Sequence, residues 1–330
     1  MTLKYNNVYI ENTATVVGPY EHNGPLSRKF DRHYDEMYMN EETFENAEVH
    51  LMKESVDILL DKINKNKEDV NLFIAGDLQN QITSSSFTAK YVKAPFIGVY
   101  SACASNVEGL ILAANMIDSG KVNNSVVSVS SHNMVSERQF RNPTEYGAPK
   151  PSSATFTATG GASAFLTNQK NTIKIESSTI GKVIDMEQID PNNMGAVMAG
   201  AAIDTIYRHL KDLKREPNYY DLIVTGDLGK YGKEILLEYM MKEYKLDLSK
   251  NYNDCGIMLY DLTSQKEVQA GGSGPVCSAL VVYGDILPKM KNKEIKRVLY
   301  VATGALFNPT TVFQKSNILS IAHAISLEVK

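Results

Sequence analysis

Apolar residues recur every three or four positions between Phe44 and Ile58, while acidic residues occupy the other faces. This spacing predicts an amphipathic helix over residues 42–64. The next run, residues 70–75, is mostly apolar and stops before a Gly-Asp pair, which is typical of a strand buried on both faces of a sheet. The same reasoning predicts a helix over residues 84–92, a strand over 96–100 and an apolar helix over 107–117 that ends at Gly120.

This order of elements returns in the second half of the chain. Apolar strand patterns end in Gly76-Asp77-Leu78 and again in Gly226-Asp227-Leu228. Because tripeptides can match by chance, the repeated order of strands and helices is stronger evidence for a duplication than the shared Gly-Asp-Leu. We therefore predict an α/β chain with two similar halves, residues 1–170 and 171–330. The predicted elements of the second half are helices over residues 196–210 and 233–244, strands over 221–228 and 298–302, and an apolar helix from about residue 276.

Length and charge narrow the class of protein. The chain has 330 residues, 43% of them hydrophobic and 22% charged, which is enough to form a large core and a duplicated or two-domain fold. The formal net charge of -4 supplies neither the basic surface that nucleic acid requires nor a long acidic tail. We therefore expect no nucleic-acid partner.

The three cysteines, Cys103, Cys255 and Cys277, are widely spaced and form no CxxC pair or Cys/His ladder. This favours an intracellular protein and predicts no metal site and no cofactor. The first residues lack the apolar core of a signal peptide, and no later apolar run reaches the roughly 20 residues that span a bilayer. Any membrane association is expected to be peripheral.

Cys103 lies between a predicted strand and a predicted apolar helix, in the run Ser101-Ala102-Cys103-Ala104-Ser105. Small neighbours allow a tight turn and place the sulfur at a helix N-terminus, where free N–H groups favour a thiolate or a bound anion. Cysteine is also among the most buried residue types, so an inert packed thiol is the competing interpretation. The turn predicts the position of a ligand site more firmly than its chemistry.

The duplicated halves and this turn resemble the thiolase and ketoacyl synthase superfamily. The resemblance implies a five-layered αβαβα fold made of two βαβαβαββ halves, in which the matching cysteine accepts an acyl group. Further motifs resemble one family of this superfamily, the stage V sporulation protein AD family of spore-forming bacteria. The motifs are Ser131-His132-Asn133, Glu137-Arg138-Gln139-Phe140-Arg141, Pro143-Thr144-Glu145-Tyr146-Gly147, Asn253-Asp254-Cys255-Gly256 and Gly271-Gly272-Ser273-Gly274.

The family resemblance implies a ligand and a setting. The ligand is dipicolinic acid, a pyridine with two carboxylates, free or as its calcium chelate. The setting is the cytoplasmic face of the forespore or spore inner membrane, with other stage V sporulation A proteins as partners. Superfamily members also imply a homodimer, through the strand after the cysteine helix at about residues 125–130. The basic run Lys289, Lys291, Lys293, Lys296 and Arg297 is a candidate contact for anionic lipid, although a solvated helix end explains it as well.

The second half lacks the side chains that acyl transfer requires. Synthases carry a histidine after the first strand of this half, where this chain has Thr225-Gly226-Asp227-Leu228-Gly229. They carry a histidine or asparagine in the next Gly-rich loop, where this chain has Gly271-Gly272-Ser273-Gly274-Pro275, and residues 223–321 contain no histidine. This favours a non-catalytic binding protein. The alternatives are an acyltransferase with Cys103 as nucleophile and a scaffold without ligand. The predicted ligand-binding residues are Cys103, Ala104, His132, Asn133, Phe140, Tyr146, Asp227 and Ser273, while Arg138 and Arg141 are expected to solvate a loop.

Overall fold

The computed structural model describes residues 1–141 and 149–330, and for Arg141 the backbone alone. Tyr146 and the remainder of its predicted motif lie outside the described residues. No helix in the part of the chain so described combines the length and the apolar character needed to cross a bilayer.

The strands at the two ends of the main sheet are short and those in its middle are longer. They are β1 (Thr2–Lys4), β2 (Tyr9–Val17), β3 (Arg32–His33), β4 (Phe73–Gly76), β5 (Phe96–Gly98), β6 (Asn124–Ser131), β7 (Phe156–Thr157), β8 (Gly160–Thr167), β9 (Ile173–Thr179), β10 (Ile184–Asp185), β11 (Leu222–Thr225), β12 (Tyr252–Asp254), β13 (Gly272–Ser273), β14 (Arg297–Leu306) and β15 (Leu319–Val329).

The helices range from single turns to five turns. They are α1 (Pro19–His22), α2 (Phe44–Lys62), α3 (Thr83–Val92), α4 (Ser105–Asp118), α5 (Asn133–Arg141), α6 (Met194–Leu213), α7 (Gly229–Tyr244), α8 (Cys255–Met258), α9 (Pro275–Val281), α10 (Leu287–Lys291) and α11 (Pro309–Phe313). A π-helical segment, Val282–Ile286, joins α9 to α10 without a break.

The local sequence explains where the long outer helices begin. Thr43 precedes α2 and its side chain accepts a hydrogen bond from the Asn46 N–H, so one unpaired donor of the first turn is satisfied. Asn193 does the same for α6 through the N–H of Ala196. Both helices then bury an apolar face against the sheet, as the periodicity predicts.

One large sheet runs through the described residues in the order β12-β11-β14-β15-β9-β2-β8-β6-β4-β5. Its two ends mirror each other: β4 lies between parallel partners β5 and β6, and β11 lies between parallel partners β12 and β14. In each half an antiparallel pair follows, β6 with β8 and β14 with β15. The repeated element order of the sequence is therefore a repeated topology, although the boundary at residue 170 stays a prediction.

The helices divide this sheet into layers. α2 covers the outer face of the first half and α6 that of the second. Between the halves lie α4, which contacts β4 and β6 as well as β14 and β15, and α9, which contacts β6 and β8. α4 can approach β6 closely because Gly109 has no side chain; a Cβ there would lie 2.8 Å from Val127 Cγ1. The result is the five-layered αβαβα arrangement that the resemblance implies.

One sequence expectation about this sheet is wrong. The strand at residues 125–130, expected to form a dimer edge, is β6, which is hydrogen-bonded to β4 on one side and β8 on the other. A strand paired on both sides has no free backbone groups for another chain. The exposed edge of the first half is β5 instead.

Candidate functional site

The turn between β5 and α4 is held by its own hydrogen bonds. Ala102 has a φ of 49°, in the left-handed region that residues with a Cβ rarely adopt. The N–H of Ala104 donates to the Ser101 carbonyl at 3.0 Å, and the N–H of Ser105 donates to the Ala102 carbonyl at 3.2 Å. These two N–H groups, expected to be free for an anion, are therefore engaged within the turn.

A glycine of the second half lies against this turn. Gly304, on β14, has Ser101 and Ala104 as its nearest neighbours, and a Cβ on Gly304 would lie 2.2 Å from the Ser101 carbonyl oxygen. No side chain fits in that space. The position of Cys103 thus depends on the close approach of β14 as well as on its own strand and helix.

Cys103 begins a chain of polar contacts that crosses to the second half. Its Sγ lies 3.7 Å from Ser273 Oγ, which donates to Asp227 Oδ2 at 2.9 Å. Asp227 also accepts hydrogen bonds from Thr303 Oγ1 at 2.6 Å and from the Gly274 N–H at 3.2 Å. Two residues of the second half, Ser273 and Asp227, therefore lie next to the cysteine of the first half.

Of the two interpretations of Cys103, a thiolate and a packed neutral thiol, the surroundings of the sulfur favour the second. Burial raises the pKa of the Cys103 thiol well above its usual range, and the carboxylate of Asp227 raises it further. Burial also raises the pKa of Asp227, against the opposing effect of its hydrogen bonds to Thr303, Cys103 and Ser273. A neutral thiol is the form that this environment favours.

A second buried carboxylate, Asp254, supports the loops around Asp227. It accepts hydrogen bonds from Thr225 Oγ1 at 2.6 Å and from the N–H groups of Leu228 and Gly229 at 2.9 Å each. Burial raises the pKa of Asp254 to about 7. The motif residue Cys255, which follows it, is fully buried.

A cavity of about 370 Å³ opens in front of Cys103. Most of its wall is apolar and includes Phe140, Phe307, Met194 and Met198. A volume of this size is within the range of small-molecule sites in proteins. Cys103 and Ser273 both line the cavity, so the chain of polar contacts ends at its surface.

One part of the cavity wall is polar, and α5 supplies much of it. Ser136 and Glu137 from this helix line the cavity beside Lys150, whose Nζ forms an ion pair with Glu137 Oε1. Ser136 Oγ is buried and has no hydrogen-bond partner among the described residues. A buried hydroxyl without a partner is costly, and a ligand at this wall would satisfy it.

A wider hollow of about 680 Å³ adjoins the cavity. The two share Leu78, Tyr100, Phe140 and Phe307. The hollow continues toward Gly98, at the end of the exposed strand β5. It provides a route from the surface to the cavity that contains Cys103.

Three of the predicted ligand-binding residues line the cavity: Cys103, Phe140 and Ser273. Asp227 lies directly behind Ser273, and Tyr146 falls outside the described residues. Arg138 pairs with Glu45 on an exposed surface, consistent with the solvated position expected for it. Ala104 is fully buried against Gly304 rather than facing the cavity.

His132 and Asn133 do not face the cavity, contrary to expectation. His132 Nε2 donates to the Met37 carbonyl at 2.8 Å, and its Nδ1 accepts from the Met134 N–H at 3.2 Å, so both ring nitrogens are occupied. Burial lowers the pKa of His132 to about 4, which leaves the ring neutral. The Asn133 side chain donates to the Thr157 carbonyl at 3.3 Å. Both residues fix the start of α5.

The sequence interpretation missed Ser136, Glu137, Lys150 and the methionines of α6. Glu137 lies within a family-like motif, but its neighbour Arg138 is the residue type better suited to bind a carboxylate. Lys150 precedes Pro151 in a segment without periodicity, so no pattern marked it. Met194 and Met198 are four residues apart, which is typical of one face of a core helix. Their contact with the cavity depends on how the two halves meet.

Away from this cavity, His22, His33 and Asp35 bring their potential metal-ligating atoms within 4.8 Å of one another. The two imidazole rings stack with centroids 3.6 Å apart. The side chain of His33 is about half exposed and that of Asp35 is more exposed still. Stacking of the two rings accounts for this cluster, so the Cys103 cavity remains the candidate site.

The fold resembles that of thiolase-like enzymes of known structure. An OleA variant of Xanthomonas campestris superimposes with a TM-score of 0.62 at 12% identity, covering 99% of each chain. The 3-oxoacyl-[acyl-carrier-protein] synthase III of Aquifex aeolicus superimposes with a TM-score of 0.56 at 12% identity, covering 99% of this chain and all of that one. At such low identity these similarities establish the fold alone.

Sequence comparison gives a closer relationship. Residues 1–328 match the family described as stage V sporulation protein AD. The stage V sporulation protein AD of Bacillus subtilis is 41% identical over 321 residues, which cover 97% of this chain and 94% of the relative. These two matches show that the chain belongs to the stage V sporulation protein AD family.

Proposed function

We propose that this sporulation protein binds dipicolinic acid in the Cys103 cavity and takes part in loading it into the spore, without acyl-transfer chemistry. The supporting observation is the cavity itself: it is open, it is lined by both aromatic and polar side chains, and its thiol has a raised pKa. A nucleophilic cysteine needs the opposite, a thiolate stabilised by a neighbouring base or positive charge.

The shape and polarity of the cavity suit a flat aromatic acid. Phe140 and Phe307 pack edge to face with ring centroids 5.4 Å apart. Together with the methionines of the cavity wall they provide an apolar surface for the aromatic ring of a ligand. Lys150 and Ser136, which also line the cavity, supply polar hydrogen atoms for a carboxylate. A pyridine dicarboxylate has both an aromatic ring and the carboxylates that these side chains suit.

The alternative function, acyl transfer from Cys103, would depend on Asp227 as the base, acting through Ser273. Hydrogen bonds from Thr303, Ser273 and the Gly274 N–H already surround this carboxylate, and its negative charge raises the pKa of the thiol. No histidine lines the cavity among the residues that the structure describes. Binding is therefore the better supported function.

The membrane setting belongs to the same proposal. We place the protein at the cytoplasmic face of the forespore or spore inner membrane, peripherally and beside other stage V sporulation A proteins, on the basis of family membership. The basic run 289–297 is a candidate contact. Lys289 is engaged by Asp285 at 2.6 Å, whereas Lys293 and Lys296 are exposed.

Calorimetric titration of the full chain with dipicolinate, with and without calcium, tests the proposal. Isophthalate is the matched control ligand, because it has the same spacing of carboxylates but lacks the ring nitrogen. We expect saturable 1:1 binding of dipicolinate that weakens in Phe307→Ala. Absence of binding, or a mass increase on Cys103 after incubation with acyl-CoA donors, would contradict the proposal and favour acyl transfer.

A further inference from the structure

The ion pair between Lys150 and Glu137 lies on the wall of the cavity and not on the outer surface. The two side chains retain only 18% and 16% of their accessible surface. A lone charge so far removed from water is unfavourable, and a nearby opposite charge compensates it. Each of the two side chains therefore offers the other an opposite charge.

A pair that borders a cavity can exchange partners, unlike a pair packed inside a core. The ammonium of Lys150 has three N–H donors, and one of them donates to Glu137 Oε1. A ligand carboxylate that enters the cavity offers the same oxygen chemistry as Glu137. No other lysine or arginine lines the cavity among the described residues.

The hydroxyl of Ser136 adds a second, independent indication of a ligand. It is on the residue before Glu137, lines the same cavity and is 94% buried, with a relative exposure of 6%. Its oxygen has no hydrogen-bond partner within the described part of the chain. A carboxylate beside Lys150 would lie near Ser136, because both residues line the cavity, and rotation of the Ser136 side chain toward the cavity would let its hydroxyl donate to that carboxylate.

We propose that Lys150 and Ser136 form the carboxylate-binding part of the cavity, and that Glu137 holds the lysine until a ligand carboxylate replaces it. This inference rests on the proposed function and specifies how the acid is recognised. The aromatic ring then lies against Phe140 and Phe307, which line the same cavity. Glu137 acts as a competitor for Lys150, so its charge lowers the affinity for anions.

Titration with dipicolinate at constant ionic strength tests this assignment. Some variants are expected to lower the affinity and one is expected to raise it. Lys150→Met should weaken binding at least tenfold and Ser136→Ala several-fold, whereas Glu137→Gln should strengthen binding about threefold or more. Lys170→Met, at an exposed lysine in the loop after β8, is the matched control and should bind like the wild type. The double variant Lys150→Gln/Glu137→Gln removes both charges of the pair and should still lose binding at least tenfold.

The outcomes separate this inference from the function on which it rests. Wild-type binding with unchanged affinity in the double variant would overturn the role of Lys150 and leave dipicolinate binding intact. Weaker binding by Glu137→Gln would overturn the competitor role of Glu137. Absence of dipicolinate binding by the wild type would overturn both the function and this inference.

Discussion

At the scale of single residues, Cys103 is subject to opposing influences. The start of α4 favours a negative charge, as at any helix N-terminus. Burial and the carboxylate of Asp227 disfavour it and raise the pKa of the thiol. The thiol therefore lies at a cavity wall without being reactive. Its surroundings, and not the residue type, indicate that Cys103 contacts a ligand and does not attack it.

Alkylation kinetics should report this high pKa directly. We expect iodoacetamide to modify Cys103 slowly at neutral pH, with a rate that keeps rising above the ordinary pKa of a free thiol, about 8.5. Asp227→Asn should move the rate profile to lower pH, because a negative charge beside the sulfur is removed. Peptide mapping by mass spectrometry distinguishes Cys103 from the buried Cys255 and Cys277, and a profile centred at or below pH 8 in the wild type would contradict the assignment.

Gly304→Ala tests the contact between β14 and the cysteine turn. The added Cβ would lie 2.2 Å from the Ser101 carbonyl, so the turn must move away from the strand. We expect a loss of about 1–3 kcal/mol in the free energy of unfolding, as is usual for overpacking in a core, together with weaker ligand binding. Urea denaturation measures the first effect, and unchanged stability would mean that the turn yields easily.

At the scale of elements, the sequence predicted what local patterns determine. The expected strand at 96–100 is β5, and the expected helix at 107–117 is α4, which extends two residues earlier and one later. The role of His132 was not predictable in the same way, because it follows from contacts with Met37, distant in the sequence. Lys150 enters the cavity wall only because α5 and the segment before β7 lie side by side.

The exposed strand β5 is the element at which we expect self-association. Phe96 on this strand and Tyr100 after it are exposed, as is Phe87 on the adjoining helix α3. An apolar edge of this kind pairs readily with a second copy. We expect a dimer in sedimentation analysis that Phe87→Glu weakens, while Phe313→Glu, at a similarly exposed phenylalanine of α11, leaves it unchanged. A monomer in the wild type would refute this expectation.

At the scale of the whole molecule, the core encloses several ionisable groups. Burial raises the pKa of Glu21 to about 7, and Glu21 accepts a hydrogen bond from the hydroxyl of Tyr260. Asp254 has a pKa of about 7 for the same reason. Glu48 and Asp77 interact across α2 and the end of β4, and burial raises the pKa of both. The folded state therefore takes up protons at these carboxyls when it forms.

The stability of the fold should decrease from pH 6.5 to pH 8. A carboxyl whose pKa is raised from 4.5 to about 7 on folding stabilises the fold at low pH and loses that contribution as pH rises through 7. The buried histidines, such as His132 with a pKa of about 4, act in the opposite direction but only below pH 6.5. Glu21 alone should account for about 1 kcal/mol of the decrease, so Glu21→Gln should flatten the pH profile of urea unfolding. An equal slope in both proteins would contradict this.

The pairing of β1 has a consequence for the order of events during synthesis. β1 is hydrogen-bonded to β9, with Thr2 opposite Thr179 and Lys4 opposite Ser177, so the earliest strand belongs to the sheet of the second half. While the ribosome makes the first half, β1 has no partner, and it stays unpaired until residue 179 has left the exit tunnel. Completion of the first-half sheet and closure of the molecule are therefore separate events in time, and a nascent chain halted before β9 would expose a strand that a finished chain never shows.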